Sequence, residues 1–295
     1  MTKLAFKKPT DAKRARPKIL VSGEAGVGKS MFALNFPNVA YIDHEDGANG
    51  PQYIALLKKA GGMYLGRGEG SQDPKVVIEQ IKALASESHS YKTVVFDSIS
   101  KIYNNMIASE AERLGPDKMA FGNEKRPAIM WMRQVIGWVA KLDMNVVFVA
   151  HAKATWVNEK QGPSSFDCFE KLAYELDLWL EAVKRGPSRL ALVRKSRLVQ
   201  FPDASNFPLE FAEFKTRYEA EFGAGVMDAV SKPLVLATAA QITEARGIVA
   251  SLKLTDEEIA KALEKRGVTQ WEDLEAEAIT EMIANLNKKK ASATV

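Results

Sequence analysis

The stretch "KILVSGEAGVGKSMFAL", Lys18 to Leu34, decides how the rest of the chain is read. Its apolar run Ile19-Leu20-Val21 predicts a strand, and the pattern from Lys29 onward predicts a helix. Between them, Gly23 to Ser30 fits G-x-x-x-x-G-K-[ST] at every fixed position. Glycines at these places let backbone N–H groups turn inward around phosphate oxygens with no Cβ in the way. Lys29 would reach the β- and γ-phosphates and Ser30 would ligate Mg²⁺, while the helix opening at Lys29 adds its positive dipole end beneath the anion. The expected cradle for ATP is therefore Gly23, Glu24, Ala25, Gly26, Val27, Gly28, Lys29, Ser30 and Met31.

A phosphate cradle needs an acid near its metal, and "KTVVFDS", Lys92 to Ser98, supplies one. It is an apolar strand ending in Asp97, the Walker B pattern, and Asp97 would hold Mg²⁺ through its water shell. Many AAA+ ATPases carry a glutamate immediately after that aspartate, whereas here the position is Ser98. The water-activating base must then come from elsewhere. "YIDHEDG", Tyr41 to Gly47, ends the next strand candidate at the sheet edge where ligands of open α/β folds gather. Asp43, Glu45 and Asp46 all qualify, and geometry must select among them.

From about residue 18 to 215 strand and helix patterns alternate. The strand candidates Lys18–Ser22, Val39–Asp43, Thr93–Asp97 and Asn145–Ala150 are apolar on both faces, as in a parallel sheet covered by helices. Helical patterns fall at Lys29–Phe36, Pro51–Ala60, Pro74–Ser86, Ile99–Leu114 and Pro127–Leu142. This alternation predicts a doubly wound α/β sheet. "DLWLEAVKR" and "RLALVRKSR" around "GPS" at Gly186–Ser188 predict a hairpin that extends it.

Beyond about Thr238 the strand signals stop. Three amphipathic helices are expected in "ITEARGIVASLKL", "TDEEIAKALEKRG" and "DLEAEAITEMIANL", with a Thr255/Glu258 capping box and Gly267 as a C-cap. The expected organisation is a basic arm (1–17), an ATPase core (18–235), a helical module (236–287) and a frayed tail (288–295). Residues 1–18 hold seven Lys or Arg against Asp11 alone, which reads as a loose, solvated tail or, more sharply, as an arm for phosphate contact or for docking on a neighbour through Phe6. The module carries ten acidic against five basic residues over 241–285, which argues against strong DNA binding by that part.

The order of motifs resembles the RecA-type recombinase core over about residues 18–215: Walker A, a strand ending in D-x-E, "VVFDS", then an apolar strand ending in a polar residue. The implied fold is a RecA-like P-loop NTPase core with a mostly parallel sheet flanked by helices, plus a small helical module. In that family the glutamate of D-x-E activates the attacking water, which maps onto Glu45. The polar residue closing the later strand senses the γ-phosphate, which maps onto His151 in "NVVFVAH". With a histidine there, the compact chain is most similar to phage RecA-like proteins of the Sak type, a nucleotide-binding and recombination family.

The resemblance also implies hydrolysis between subunits of a filament or ring. The family's basic pair on a late strand resembles Lys195-Ser196-Arg197, which would neutralise charge on a neighbour's γ-phosphate. In a regular strand Lys195 and Arg197 share a face and Arg194 points away. Two loops hold DNA in the family. Their counterparts contain Lys118, Phe121, Lys125 and Arg126, and Lys153, Trp156 and Lys160, cations for phosphates and aromatics for bases. The implied partners are single-stranded DNA, further copies of the chain and a single-strand-binding protein, and the implied setting is a phage protein in a bacterial cytoplasm. A nucleotide-switched loader is the competing reading. A small-molecule kinase is disfavoured, because no acceptor site or phosphate-binding lid is identifiable.

Composition fits an ordinary soluble globular chain: 295 residues, 46% apolar, 26% charged, net charge +4. No apolar run approaches membrane-span length and no secretory signal pattern opens the chain. The single Cys168 excludes an internal disulfide and a cysteine-rich zinc site.

Overall fold

The computed structural model describes residues 16–119, 122–157, 160–161 and 165–293. Residues 1–15 of the expected arm, Phe121 and the last two residues lie outside the described residues, as do the side chains of Trp156 and Lys160.

The elements in chain order are β1 (Lys18–Gly23), α1 (Lys29–Leu34), β2 (Val39–Asp43), α2 (Pro51–Lys59), β3 (Met63–Leu65), α3 (Pro74–Ser86), β4 (Thr93–Asp97), α4 (Ile99–Leu114) and α5 (Arg126–Lys141). There follow β5 (Asn145–Lys153), β6 (Trp156–Val157), β7 (Lys160–Gln161), β8 (Ser165–Phe166), α6 (Leu172–Glu175), β9 (Leu178–Arg185), β10 (Ser188–Ser196), β11 (Asn206–Pro208) and α7 (Phe211–Phe222). Helices α8 (Ala239–Ser251), α9 (Asp256–Glu264) and α10 (Ala276–Ala293) complete the chain.

Nine strands form one sheet in the order β11-β10-β9-β1-β5-β4-β2-β3, with β8 added against β5. The six strands from β9 to β3 are parallel; β10, β11 and β8 join antiparallel. This mixed α/β sheet, mostly parallel and flanked by helices, is the architecture expected from the alternation of strand and helix patterns. The strands read as apolar on both faces because β1, β4 and most of β5 are buried throughout.

The chain divides into two compact units. The first contains the chain up to Ser71, Tyr91–Tyr103 and Met144–Val230, and so holds the whole sheet. On one sheet face its core is an aromatic layer. Phe32 of α1 and Phe36 just beyond it meet Phe214 of α7 at centroid distances of 5.8 and 5.5 Å, and Phe201 and Tyr218 extend the stack. Each such fully buried ring contributes about 1.5–3 kcal/mol, so this layer fixes the helix that carries the phosphate loop.

The second unit contains Gln72–Ser90, Asn104–Asp143 and the chain from Ser231. Helices α8 to α10 enclose their own apolar core around Ala245, Leu274 and Ile279. In the same unit, Asp273 pairs with Lys82 of α3 at 2.9 Å, and Lys82 and Lys141 lie over the Trp138 ring of α5. The expected capping box Thr255/Glu258 forms, and Gly267 sits at φ +71°. No helix among the described residues is long and apolar enough to cross a membrane.

Three local expectations change. Strand β5 runs on to Lys153, so His151 lies inside a strand and not beyond its end. The His151 N–H donates to Ser100 Oγ at 2.9 Å, and its carbonyl accepts from the Asp167 N–H at 2.9 Å; these bonds hold the extra residues extended. Arg16 is not part of a loose arm. It is buried, and its guanidinium donates to the carbonyls of Val226, Ala229 and Val230 at 2.8, 2.9 and 3.2 Å. Lys288–Lys290, expected to fray, continue α10, since lysine and alanine are strong helix formers and cations suit a helix C-terminus.

Candidate active site

Strand β1 ends at Gly23 and the phosphate loop turns into α1 at Lys29. Gly23 tolerates no side chain, because a Cβ there would stand 2.5 Å from the Ala182 carbonyl of the adjacent strand β9. Gly28 has φ +105°, a backbone state that favours glycine. Lys29 is buried and donates to the loop's own carbonyls, Gly23 at 2.9 Å and Glu24 at 2.8 Å. Burial pushes its ammonium below the ordinary lysine value, and Asp97 and Glu45 pull it back up. A poorly hydrated cation beneath a glycine-lined nest fits an anionic phosphate chain.

Asp97 ends β4 two strands away, with β5 between it and β1. Its carboxyl is buried and accepts from Ser30 and from the Tyr41 hydroxyl at 2.7 Å. Burial pushes it above the usual carboxylate range while those two donors hold it down. Among the described residues no group of three or more His, Cys, Asp or Glu could hold a metal. Ser30 with one buried carboxylate instead matches Mg²⁺, which takes one or two protein oxygens and completes its shell with phosphate and water. The residues present fit the nucleotide and its ion.

The three carboxylates after β2 have separate surroundings. Asp43 is buried and accepts from the N–H groups of Glu45, Gly47 and Ala48 at 3.1, 3.1 and 2.7 Å, so it caps its own loop. Asp46 sits at φ +61° and faces Arg67 at 3.7 Å. Only Glu45 of the three joins the groups beside the phosphate loop. Its carboxylate accepts from the Ser98 hydroxyl and pairs with His151 Nε2 at 2.5 Å, while Ser98 Oγ and His151 Nε2 lie 3.1 Å apart. The bond from His151 leads in lowering Glu45 to about 2, and the same bond raises His151 above its ordinary value. Register explains the meeting: His151 stands opposite Gly23, and Asp43 stands opposite Asp97.

Lys195 and Arg197 lie elsewhere. Strand β10 runs back antiparallel, so Lys195 stands opposite Trp179, which in turn stands opposite Leu20, near the start of β1. That is three residues from Gly23, about 10 Å along the strand. Lys195 donates to the Leu176 carbonyl and Arg197 to the Tyr174 carbonyl, so both reach the α6 end. The strand is irregular, however, with a bulge between Val193 and Lys195 that turns Arg194 to Glu181, which it contacts through Nε at 2.5 Å. Lys153 is exposed at the end of β5 in the first unit, and Lys118, Lys125 and Arg126 are exposed in the second. The expected DNA positions Phe121, Trp156 and Lys160 belong to the parts left undescribed.

Sequence reasoning missed several contributors. Ser98 registered only as a missing glutamate, yet it is the hub between Glu45 and His151. Tyr41 gave no signal beyond strand propensity. Arg189, on the N-terminal end of β10, lies across Gly28, where a Cβ would stand 3.0 Å from its Cδ. It helps line a cleft of about 730 Å³, with Met31 of α1 and its cap Asn35, Tyr53 of α2, and Glu210 and Phe211 at the start of α7. Cys168 is buried, which pushes its thiol up to about 12 and leaves it chemically quiet.

Among solved structures the chain is similar to the crystal structure of the RadB recombinase, at 17% identity over 64% of this chain and 84% of that chain, with a TM-score of 0.40. That score is too low to add to the geometry. No curated protein matches. A phosphate nest on β1, an acid on β4 between Ser30 and Tyr41, and a carboxylate held beside them are the parts of a nucleotide-hydrolysing site. All fall within residues 15–197, which match the AAA domain family, and the chain belongs to that family of P-loop ATPases.

Proposed function

We propose that the chain is an ATP-dependent recombinase of the RecA type, most similar to phage proteins of the Sak type. It binds single-stranded DNA as a filament or ring and promotes annealing or strand exchange. The observation that carries this reading is the Glu45–Ser98–His151 cluster, which supplies a base from the strand after the phosphate loop where Asp97 is followed by serine. The loop N–H groups and Lys29 bind the triphosphate, and Ser30 and Asp97 hold Mg²⁺, which when bound neutralises charge on the β- and γ-phosphate oxygens. Glu45 orients the attacking water and accepts its proton. His151 reports the γ-phosphate through its bond to Glu45, and Lys195 and Arg197 reach the site of a neighbouring copy. The DNA contacts of this reading are Lys118, Phe121, Lys125 and Arg126 in one loop and Lys153, Trp156 and Lys160 in another.

ATP turnover measured with and without single-stranded DNA, alongside electron microscopy, tests the reading. DNA-stimulated turnover with assembly on the strand supports it. Turnover that ignores DNA, without assembly, replaces it with the nucleotide-switched loader.

A further inference from the structure

Lys29 and the loop N–H groups account for the phosphate chain, yet the cleft beside α1 has no part in that chemistry. In a loop of this pattern backbone N–H groups hold the α- and β-phosphates and the lysine reaches the β and γ, so the nucleoside end leaves past Ser30 and Met31. Met31 of α1 and Asn35, which caps it and donates through Nδ2 to the Met31 carbonyl at 2.7 Å, both border the cleft. Tyr53 and Phe211 offer aromatic surface there, and Glu210 offers hydrogen-bond acceptors.

Arg189 stands where the cleft meets the loop. The β9–β10 hairpin turns back at Gly186, and its antiparallel return leaves the first residues of β10 at the phosphate-loop edge of the sheet. The Arg189 backbone is pinned, since its carbonyl accepts from the Leu209 N–H at 2.9 Å. Its side chain crosses Gly28, with the would-be Cβ 3.0 Å from Cδ and 3.3 Å from Nε. Among the described residues Arg189 forms no ion pair with a carboxylate. A planar, permanently charged fork at this place suits a phosphate oxygen.

We propose that the cleft receives the nucleoside half of the bound nucleotide and that Arg189, from the same chain, pairs with its α-phosphate. This assignment rests on the reading of Gly23–Ser30 as a triphosphate cradle. It separates Arg189 from Lys195 and Arg197, because the α-phosphate is common to ATP and ADP and needs no neighbouring subunit.

The test is the affinity of the full chain for ATP and for ADP, with Mg²⁺, by titration calorimetry, in wild type and in Arg189→Ala, Arg189→Met and Arg189→Lys. Arg189→Ala and Arg189→Met weaken both nucleotides by the same factor, about tenfold or more, and Arg189→Lys recovers part of the loss. Arg189 is exposed, so thermal melting of the variants stays close to wild type. Unchanged affinities overturn the assignment, as does a loss confined to ATP, which moves Arg189 to the γ-phosphate. Restoration by methionine also overturns it, because the stem then acts by packing. A wild-type chain that binds neither nucleotide sinks the cradle reading itself; a wild type that binds beside indifferent variants sinks only the assignment of Arg189.

Discussion

The two ends of the same parallel strands are built in opposite ways. At the ends that carry the phosphate loop, Lys29, Ser30, Asp97, Glu45, Ser98 and His151 bond to one another or to the loop, with carboxylates and cations in balance. At the starting ends, Lys195 and Arg197 donate to the backbone carbonyls of Leu176 and Tyr174. Burial, and then the adjacent Arg197 charge, push the Lys195 ammonium below its ordinary value. Asp177, Asp203 and Glu175 of the same chain pull it back up. Under the proposed function the first edge binds nucleotide by itself, and the second acts on a neighbouring copy.

Breaking the first edge carries the largest effect. Lys29→Ala removes the cation buried under the loop, and turnover is expected to fall about a thousandfold or more at every protein concentration, measured by phosphate release. Residual turnover within tenfold of wild type would show that the loop lysine is not in the site.

The second edge is broken with Lys195→Ala or Arg197→Ala. Turnover falls about a hundredfold under assembling conditions, while ATP affinity is unchanged. Mixing Lys195→Ala with Lys29→Ala sharpens the comparison, because an intact loop from one chain then meets intact cations from the other and part of the activity returns. No recovery on mixing places the pair outside any shared site.

The smallest effect lies in the Glu45–His151 contact. Glu45 drops from 4.5 to about 2 on folding, so its contribution is present above pH 4.5 and is lost as pH falls toward 2. His151 rises above 6.5, so its contribution is full below pH 6.5 and is lost as pH climbs through the folded value. The pair is thus strongest between those limits. With side chains 45% and 40% exposed it is worth no more than about 1 kcal/mol. Urea unfolding of wild type and His151→Gln should differ most at about pH 5.5 and converge in alkali. A difference that persists undiminished at high pH assigns the contact to packing and not to charge.

Much of this was legible in the chain. "GEAGVGKS" and "VVFDS" marked the loop and the acid as candidates for phosphate and metal because their pattern sits in contiguous residues at fixed spacing. Four strands and five helices fell close to their predicted bounds, since short runs of Val and Ile and amphipathic periods are local signals. Helix α7 and strands β3 and β11 were missed: α7 has a weak amphipathic pattern, and the strands are only three residues long.

By itself the sequence determined that a P-loop sits between a strand and a helix and that three carboxylates after β2 are candidates for the base. The tertiary structure gave the three different surroundings. Asp43 is consumed by its own loop and Asp46 faces Arg67, while parallel register sets His151 of β5 against Gly23 and leaves Glu45 between His151 and Ser98. The hairpin's return then divides the late cations, sending Arg189 to the phosphate loop and Lys195 with Arg197 to the far edge. The reason is physical: a motif within one segment is set by local backbone geometry, whereas the meeting of residues distant in sequence depends on strand order, direction and register, which only the folded sheet specifies.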